Sequence, residues 1–274
     1  MKVDLHTHTD RSDGTLSPTG LLEYLRDQGV EVASITDHDT LAAYDDSLDM
    51  QGLTLIPGVE FSANVGTMGV HIVGLGVEPN GATMRTASER QQSARARRAD
   101  AIALALEKVA GTGLRTAASE LAGGRVPGRP HFAQALVEQG LVKNSQQAFK
   151  RYLGKGKRGH VATDWPDMQT VNGWIRDAGG VSVLAHPARY RLNRNKLLRL
   201  VREFCEAGGE AIEVISGKQD PATTRQLAEI AESHKLLASK GSDFHSPTQT
   251  WLKPGRLPPL PSICVPVWEH LPPS

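Results

Sequence analysis

Apolar positions along the chain recur with two periods. Short runs rich in Val, Ile and Leu read as strands over 2–7, 30–36, 53–61, 70–77, 180–185, 211–215 and 235–239. Longer stretches with apolar residues three and four apart read as helices. In the first, Ser17 suits the N-cap, Pro18 the first helical position and Gly29 the end, with Leu21, Leu22 and Leu25 on one face. Helices are also expected at 41–50, 194–207 and 221–234. The short 66–69 link suits a hairpin. Residues 82–110, rich in Ala, Arg and Glu, read as one long helix or two, followed by short helices at 117–122, 129–139 and 145–153. This texture marks an α-helical insertion over 81–164, between two strand-bearing parts, 1–80 and 165–274. The Pro-rich tail from Pro254 is expected to wrap the surface.

Strands alternating with amphipathic helices imply a mainly parallel sheet with crossover helices. The polar clusters HTHTD, TDHD, PGVE, AHP and GSDFH sit mostly where strands end. Functional groups collect at the C-terminal rim of the strands in a (β/α) barrel, so rhythm and motif positions agree on an incomplete or distorted barrel.

Those clusters place His6, His8, Asp13, Asp37, His38, Glu60, His71, His186, Asp243 and His245 on one rim. Imidazole and carboxylate together suit divalent ions such as Zn, Mn or Fe. His6 and His8 stand two apart on a strand and point the same way, as do Asp243 and His245. Taken singly, each cluster has an ordinary structural explanation: a turn, a cap or a core histidine. Taken together they do not, because burying so many ionisable groups without a cation is costly. The set suffices for two or three ions, with Glu60 able to bridge two of them.

Composition narrows the class. The 274 residues carry Lys+Arg 31 against Asp+Glu 30, a formal charge of +1, which argues against a nucleic-acid coat or an acidic tail. Cys205 and Cys264 cannot form a disulfide framework, which suits a reducing compartment and a cytoplasmic location. MKVDLHTHTD lacks the apolar core of a signal peptide, and no run is long and apolar enough for a membrane span. No P-loop and no G-x-S-x-G elbow occurs, so neither NTPase chemistry nor a nucleophilic side chain is indicated.

The series HTHTD, TDHD, PGVE, a following His, AHP and GSDFH resembles the PHP (polymerase and histidinol phosphatase) family over about 1–80 and 165–250. The resemblance implies a distorted (β/α)7 barrel with a trinuclear metal centre. By motif, one ion is expected on His6, His8, Glu60 and Asp243, a second on Asp13, His38 and His245, and a third on Glu60, His71 and His186. Some family members have His in place of Asp13; a carboxylate there is a harder donor and favours Mn, with Zn, Fe or Mg as alternatives. Asp37 and His186 are the expected catalytic groups, Asp37 by orienting neighbours or handling protons. Clustered divalent ions lower the pKa of a bridging water, clamp phosphoryl oxygens and stabilise the leaving oxygen, so a metal-bound hydroxide is the expected nucleophile of a phosphoesterase.

The insertion is expected to set specificity. Its GRPHFA and LGKGKRG segments put Arg129, His131 and Lys155 in loop-like contexts, and Arg189 follows the AHP motif; these four are the candidates for a substrate phosphate. Lys157 and Arg158 read as surface charges, and the helix around Arg95, Arg97 and Arg98 as a solvated face. Within the family, GRPH and LGKGK resemble the 3′,5′-nucleoside bisphosphate phosphatases and a related 5′→3′ exoribonuclease. That implies removal of the 3′-phosphate from pAp-like compounds, or trimming of short 5′-phosphorylated RNA, with a small nucleotide or short RNA as partner and no membrane or obligate protein partner. His160 stands where an aromatic or apolar residue is expected; Tyr152 and Trp165 are possible substitutes for base stacking. The alternatives are a phosphomonoesterase such as a histidinol phosphatase, a DNA-directed nuclease, and a non-enzymatic metal-stabilised binding module.

Overall fold

The computed structural model describes residues 1–249 and 253–271. The chain divides into two compact units, Met1–Ser88 with Pro166–Ser274, and Glu89–Trp165.

In the first unit, β1 (Val3–Thr7), β2 (Val32–Ile35) and β3 (Thr54–Leu55) form a parallel three-stranded sheet. A second sheet holds β4 (Gly58–Val65), β5 (Met68–Leu75), β6 (Val181–Leu184), β7 (Ala211–Ser216) and β8 (Leu237–Gly241) in that order. Only β5 runs antiparallel to its neighbours, because it returns from β4 through the expected hairpin. Single parallel bridges, Thr7 to Phe244 and His38 to Glu60, join the sheets at both edges and close a ring. The ring is a distorted α/β barrel.

The stretch expected as one strand over 53–61 is two, β3 and β4, separated at Ile56 and Pro57. Proline lacks the N–H that a continuous ladder needs. The helix expected at 41–50 is only a 3-10 turn, Ala42–Asp45. Its Tyr44 hydroxyl donates to the Ile35 carbonyl and accepts from the Gly58 N–H, at 2.7 Å each, which ties the turn to the strands. Asp45, Asp46 and Ser47 follow, residues that compete with helical backbone bonds.

Helix α1 (Pro18–Asp27) starts as expected, with Ser17 Oγ accepting from Gly20 N and its leucines buried. Helix α2 (Ala82–Ala110) is one continuous helix that begins in the first unit and ends in the second. In the second unit, α3 (Leu114–Leu121), α4 (Arg129–Glu138) and α5 (Ser145–Ala148), with a π-helical turn at Phe149–Leu153, surround a core of Leu106, Leu114, Phe132, Leu136 and Leu153. Back in the first unit, α6 (Met168–Asp177) has no counterpart in the expectations. Asp167 caps it through Thr170 N, and Val171 and Ile175 bury its inner face. Helices α7 (Arg194–Glu206) and α8 (Pro221–Ser233) are capped by Asn193 and Asp220.

Strand β1 pairs only with β2 and closes on β8, yet Val3 and Leu5 share an apolar cluster with Val73, Val183 and Ala211 of β5, β6 and β7. That cluster therefore crosses the ring and plugs it. A register shift between Asp4 and Thr7 lets β1 contribute both to this plug and to the polar groups beyond it. The tail from Pro254 does wrap back: Pro266 bridges Ala238 of β8, and Val267 is buried in the plug.

Candidate metal centre

Every strand-end cluster delivers its side chain to one place. Glu60, on β4, is fully buried and lies at its centre. Its Oε2 is 3.2 Å from His6 Nε2, 3.4 Å from His8 Nε2 and 2.9 Å from His38 Nδ1. Its Oε1 is 2.8 Å from His71 Nδ1 and 2.9 Å from His186 Nε2. Asp243 Oδ1 is 3.0 Å from His8 Nε2 and 3.5 Å from His6 Nε2. Asp13 Oδ1 is 3.2 Å from His245 Nε2, and its Oδ2 3.8 Å from His38 Nε2.

Three overlapping donor groups emerge: His6, His8, Glu60 and Asp243; His8, Asp13, His38 and His245; and His38, Glu60 and His71. The first is the expected ligand set. The second adds His8 to the expected trio. In the third His38 stands where His186 was expected, while His186 meets the same Glu60 oxygen as His71.

These residues fit divalent ions. Bonds of about 2.1 Å in a tetrahedron space the donors about 3.4 Å apart, close to the separations seen within the first group. His6 Nε2, both nitrogens of His8, Asp13 Oδ1 and Glu60 Oε2 are buried and make no well-directed hydrogen bond. So many orphaned buried donors and acceptors carry a large desolvation cost, which a cation offsets. Burial, helped by His245, pushes His8 down to about 3, and burial takes His71 down to about 4, leaving neutral imidazoles, the ligating form. For His6, burial is outweighed by Glu60, Glu213 and Asp243, which move it well above the usual imidazole value. For His245, burial is outweighed by Asp13 and Asp243, which raise it to about 10. Burial resists ionisation of Glu60, but His38, His71 and His6 hold it well below the carboxylate range.

The backbone at the rim is strained. His186 (φ 31°), Asp243 (φ 54°) and Asp39 (φ 57°) adopt left-handed conformations that non-glycine residues rarely take. Each is pinned. Asp39 accepts from Ser62 N and Ser62 Oγ, His186 N donates to Glu213 Oε2 at 2.6 Å, and Asp243 N donates to the His6 carbonyl at 2.8 Å.

Asp37 is fully engaged in hydrogen bonds to the turn that follows β1. Its carboxylate accepts from Thr9 N (2.8 Å), Thr9 Oγ1 (2.5 Å) and Ser12 Oγ (2.5 Å). Burial, with Asp13 nearby, raises its pKa. Its contacts fasten the turn that carries Asp13, which is the orienting half of its expectation. His186 faces Glu60 through Nε2.

Two residues that shape the centre were not anticipated. Glu213 is buried on β7 and its Oε1 lies 3.0 Å from His6 Nδ1. Its only sequence signal is one carboxylate in the apolar run Ala211-Ile212-Glu213-Val214-Ile215. Tyr190 accepts from His71 N at 2.9 Å and donates to the Ala185 carbonyl at 3.0 Å, and its ring packs edge-on to His186.

The four phosphate candidates separate. Arg189 is in the first unit, ion-paired with Asp243 Oδ2. Arg129 and Lys155 belong to the second unit, where they and Arg98 reinforce the effect of burial in lowering the His160 pKa. His131 Nδ1 accepts from Gly128 N and so serves the N-terminus of α4. Arg95 and Arg98 are not a plain solvated face: their guanidinium groups lie 5.8 and 5.7 Å from the Trp165 ring centre. Among the described residues, no helix is long and apolar enough to cross a membrane.

The chain is 41% identical over 271 residues to the 5′-3′ exoribonuclease Rnm of Escherichia coli, covering 97% of this chain and 92% of that protein. It is 36% identical over 273 residues to the 3′,5′-nucleoside bisphosphate phosphatase of Chromobacterium violaceum, covering 98% and 96%. The chain belongs to the PHP family of phosphoesterases. No protein-family model matches it. Among solved structures, a Chromobacterium violaceum protein named an amidohydrolase, with bound sulfate and no metal, superposes with a TM-score of 0.91 at 35% identity, covering 98% of this chain and 95% of that one. A putative metal-dependent phosphoesterase from Bifidobacterium adolescentis gives 0.76 at 28% identity, covering 97% and 94%. The barrel is thus that of a PHP phosphoesterase.

Proposed function

We propose that the protein is a metal-dependent phosphoesterase that removes the 3′-phosphate of 3′,5′-nucleoside bisphosphates and trims short 5′-phosphorylated RNA from its 5′ end. The observation that carries this is the set of overlapping buried donor groups sharing Glu60. The relatives' activities, exoribonuclease and bisphosphate phosphatase, support the substrate class.

Divalent ions, when bound, supply Lewis acidity and a water of lowered pKa at the phosphoester. His6, His8, Glu60 and Asp243 would hold one ion, Asp13, His38 and His245 a second, and Glu60, His71 and His186 a third. The carboxylate of Asp13 favours Mn over Zn. Asp37 keeps the turn bearing Asp13 in place. Arg189, against Asp243, is the first unit's candidate for a phosphoryl oxygen, supported by that ion pair at the centre. Arg129 and Lys155 are the second unit's candidates for a further substrate phosphate, supported by the electropositive surroundings of His160. Both cysteines are free thiols, which supports a reducing compartment.

One chemistry serves both substrates. Water oxygen bonds to phosphorus, the P–O3′ bond breaks, and O3′ takes up a proton. The test is release of inorganic phosphate from pAp, and of 5′-nucleotide from 5′-phosphorylated RNA, by protein loaded with Mn. Activity on either that is abolished by chelation is the expected result. Metal-loaded protein that leaves both intact rejects the assignment.

A further inference from the structure

A second polar region borders the centre within the first unit. The turn after β6 and the loop from β7 to α8 enclose a recess of about 460 Å³, lined in part by Arg189, Ser216, Lys218 and Gln219. Arg189 links the recess to the metal centre through its ion pair with Asp243. Ser216 is 6% exposed, and its buried Oγ has no hydrogen-bond partner. Lys218 is exposed. Gln219 Nε2 is committed to the Val214 carbonyl (2.7 Å) and Thr224 Oγ1 (2.9 Å), which fixes the amide and leaves its oxygen as an acceptor.

Asp220 also lines the recess, with both carboxylate oxygens turned to the start of α8. Oδ1 accepts from Ala222 N and Thr223 N, and Oδ2 from Thr223 Oγ1. Besides Asp220 the lining offers Lys218, Arg189 with one side already paired to Asp243, the Ser216 hydroxyl and the Gln219 amide oxygen. Among the described residues, the lining has no aromatic side chain. Such a surface suits a sugar and its phosphate.

We propose that this recess is the subsite for the nucleotide that follows the scissile phosphoester of an RNA chain, so that it determines whether the enzyme accepts RNA besides a bisphosphate. The proposal rests on the phosphoesterase reading above and deepens it. In a bisphosphate, the attacked phosphorus carries only oxygens beyond O3′. In RNA it also carries O5′ of the next nucleotide, which must lie beside the metal centre. When water adds and the P–O3′ bond breaks, the P–O5′ bond survives. The shortened chain leaves with a new 5′-phosphate, its first sugar in the recess. Phosphate contacts through Arg189 and Lys218 make that hold independent of sequence.

The experiment compares wild type, Lys218→Glu and Ser216→Ala on two substrates with Mn: pAp, and a 5′-phosphorylated tetraribonucleotide. Lys218→Glu is expected to lower kcat/KM on the tetraribonucleotide by about tenfold through KM. It is also expected to reduce the log–log salt slope by about one, the signature of a lost phosphate contact. The pAp value is expected to stay within about twofold. Ser216→Ala, which removes a hydroxyl without a partner, is expected to shift the same ratio in the same direction. Equal losses on both substrates, or no loss on the tetraribonucleotide, overturn the subsite. So does a wild type that hydrolyses pAp but not RNA, although the phosphatase reading then stands. A wild type inactive on both removes the two together.

Discussion

Replacing Glu213 by Gln is the sharpest probe of how the barrel prepares its metal ligands. An ionised carboxylate only accepts hydrogen bonds. Facing Glu213 Oε1 at 3.0 Å, His6 Nδ1 therefore carries a proton, and Nε2, 3.2 Å from Glu60 and 3.5 Å from Asp243, is the nitrogen whose proton a bound ion would displace. Oε2 simultaneously accepts from the peptide N–H of the strained His186. A glutamine has one acceptor oxygen and one NH2 group at these two places. If its oxygen serves His6, its NH2 opposes the His186 N–H. If it serves His186, its NH2 faces His6 Nδ1 and favours the tautomer with Nε2 protonated, which cannot ligate.

Each lost hydrogen bond to a charged group costs about 1.5–3 kcal/mol. Loss of such an orienting partner typically weakens metal binding 10–100-fold. At about 1.4 kcal/mol per tenfold, that is about 1.4–2.8 kcal/mol, so the two estimates agree. The assay is titration of metal-stripped protein with Co(II), reading affinity and the ligand-field spectrum, with the melting temperature of the metal-free variant as a check on folding. Weaker binding by 10–100-fold and an altered spectrum are expected, with partial recovery in Glu213→Asp. A Glu213→Gln protein that binds Co(II) with wild-type affinity and spectrum would refute the tautomer argument.

Chelating the metal from loaded protein should lower its melting temperature. An ion held at 100 times its Kd stabilises by about 2.7 kcal/mol per site, and an unchanged melting curve would count against a buried ion. Tyr190→Phe removes the hydroxyl that pairs with His71 N and the Ala185 carbonyl. Urea unfolding should show a loss of about 1–3 kcal/mol, the cost of leaving a buried polar group unpaired. In Gly241→Ala the new methyl overlaps His6 Cβ. A destabilisation of roughly 1–3 kcal/mol is expected, together with weaker metal uptake in the same titration, and wild-type values in both would show that β1 and β8 can separate freely. Arg129→Ala should lose bisphosphate hydrolysis while elemental analysis shows unchanged metal content; unchanged kinetics would remove Arg129 from the substrate site.

Much of the centre is legible along the chain because metal ligation demands particular residue types at particular places. His and carboxylate cannot be replaced by residues of similar polarity, and β1 carries His6 with His8 one residue beyond its end. Hence the ligands can be named from HTHTD, TDHD, PGVE, AHP and GSDFH, and the barrel from the places where those clusters fall. Helices α1, α7 and α8 are equally local, each opening on a Ser, Asn or Asp cap and burying one apolar face.

What escapes depends on partners distant in sequence. Tyr44 joins Ile35 to Gly58 and holds residues 42–45 in a single 3-10 turn, a constraint no local periodicity contains. Which histidine completes the third donor group depends on how β2, β4 and β6 sit around the ring, and there His38 reaches Glu60 as closely as His186 does. That the Asp37 oxygens accept from Thr9 and Ser12 is likewise decided by folding. Glu213 is one carboxylate in an apolar strand until β7 is set across from His6, 207 residues away in sequence. Residue chemistry determined which atoms can bind a metal. Tertiary structure alone decided which of them are aimed at it, because orientation is set by hydrogen-bond partners from other strands.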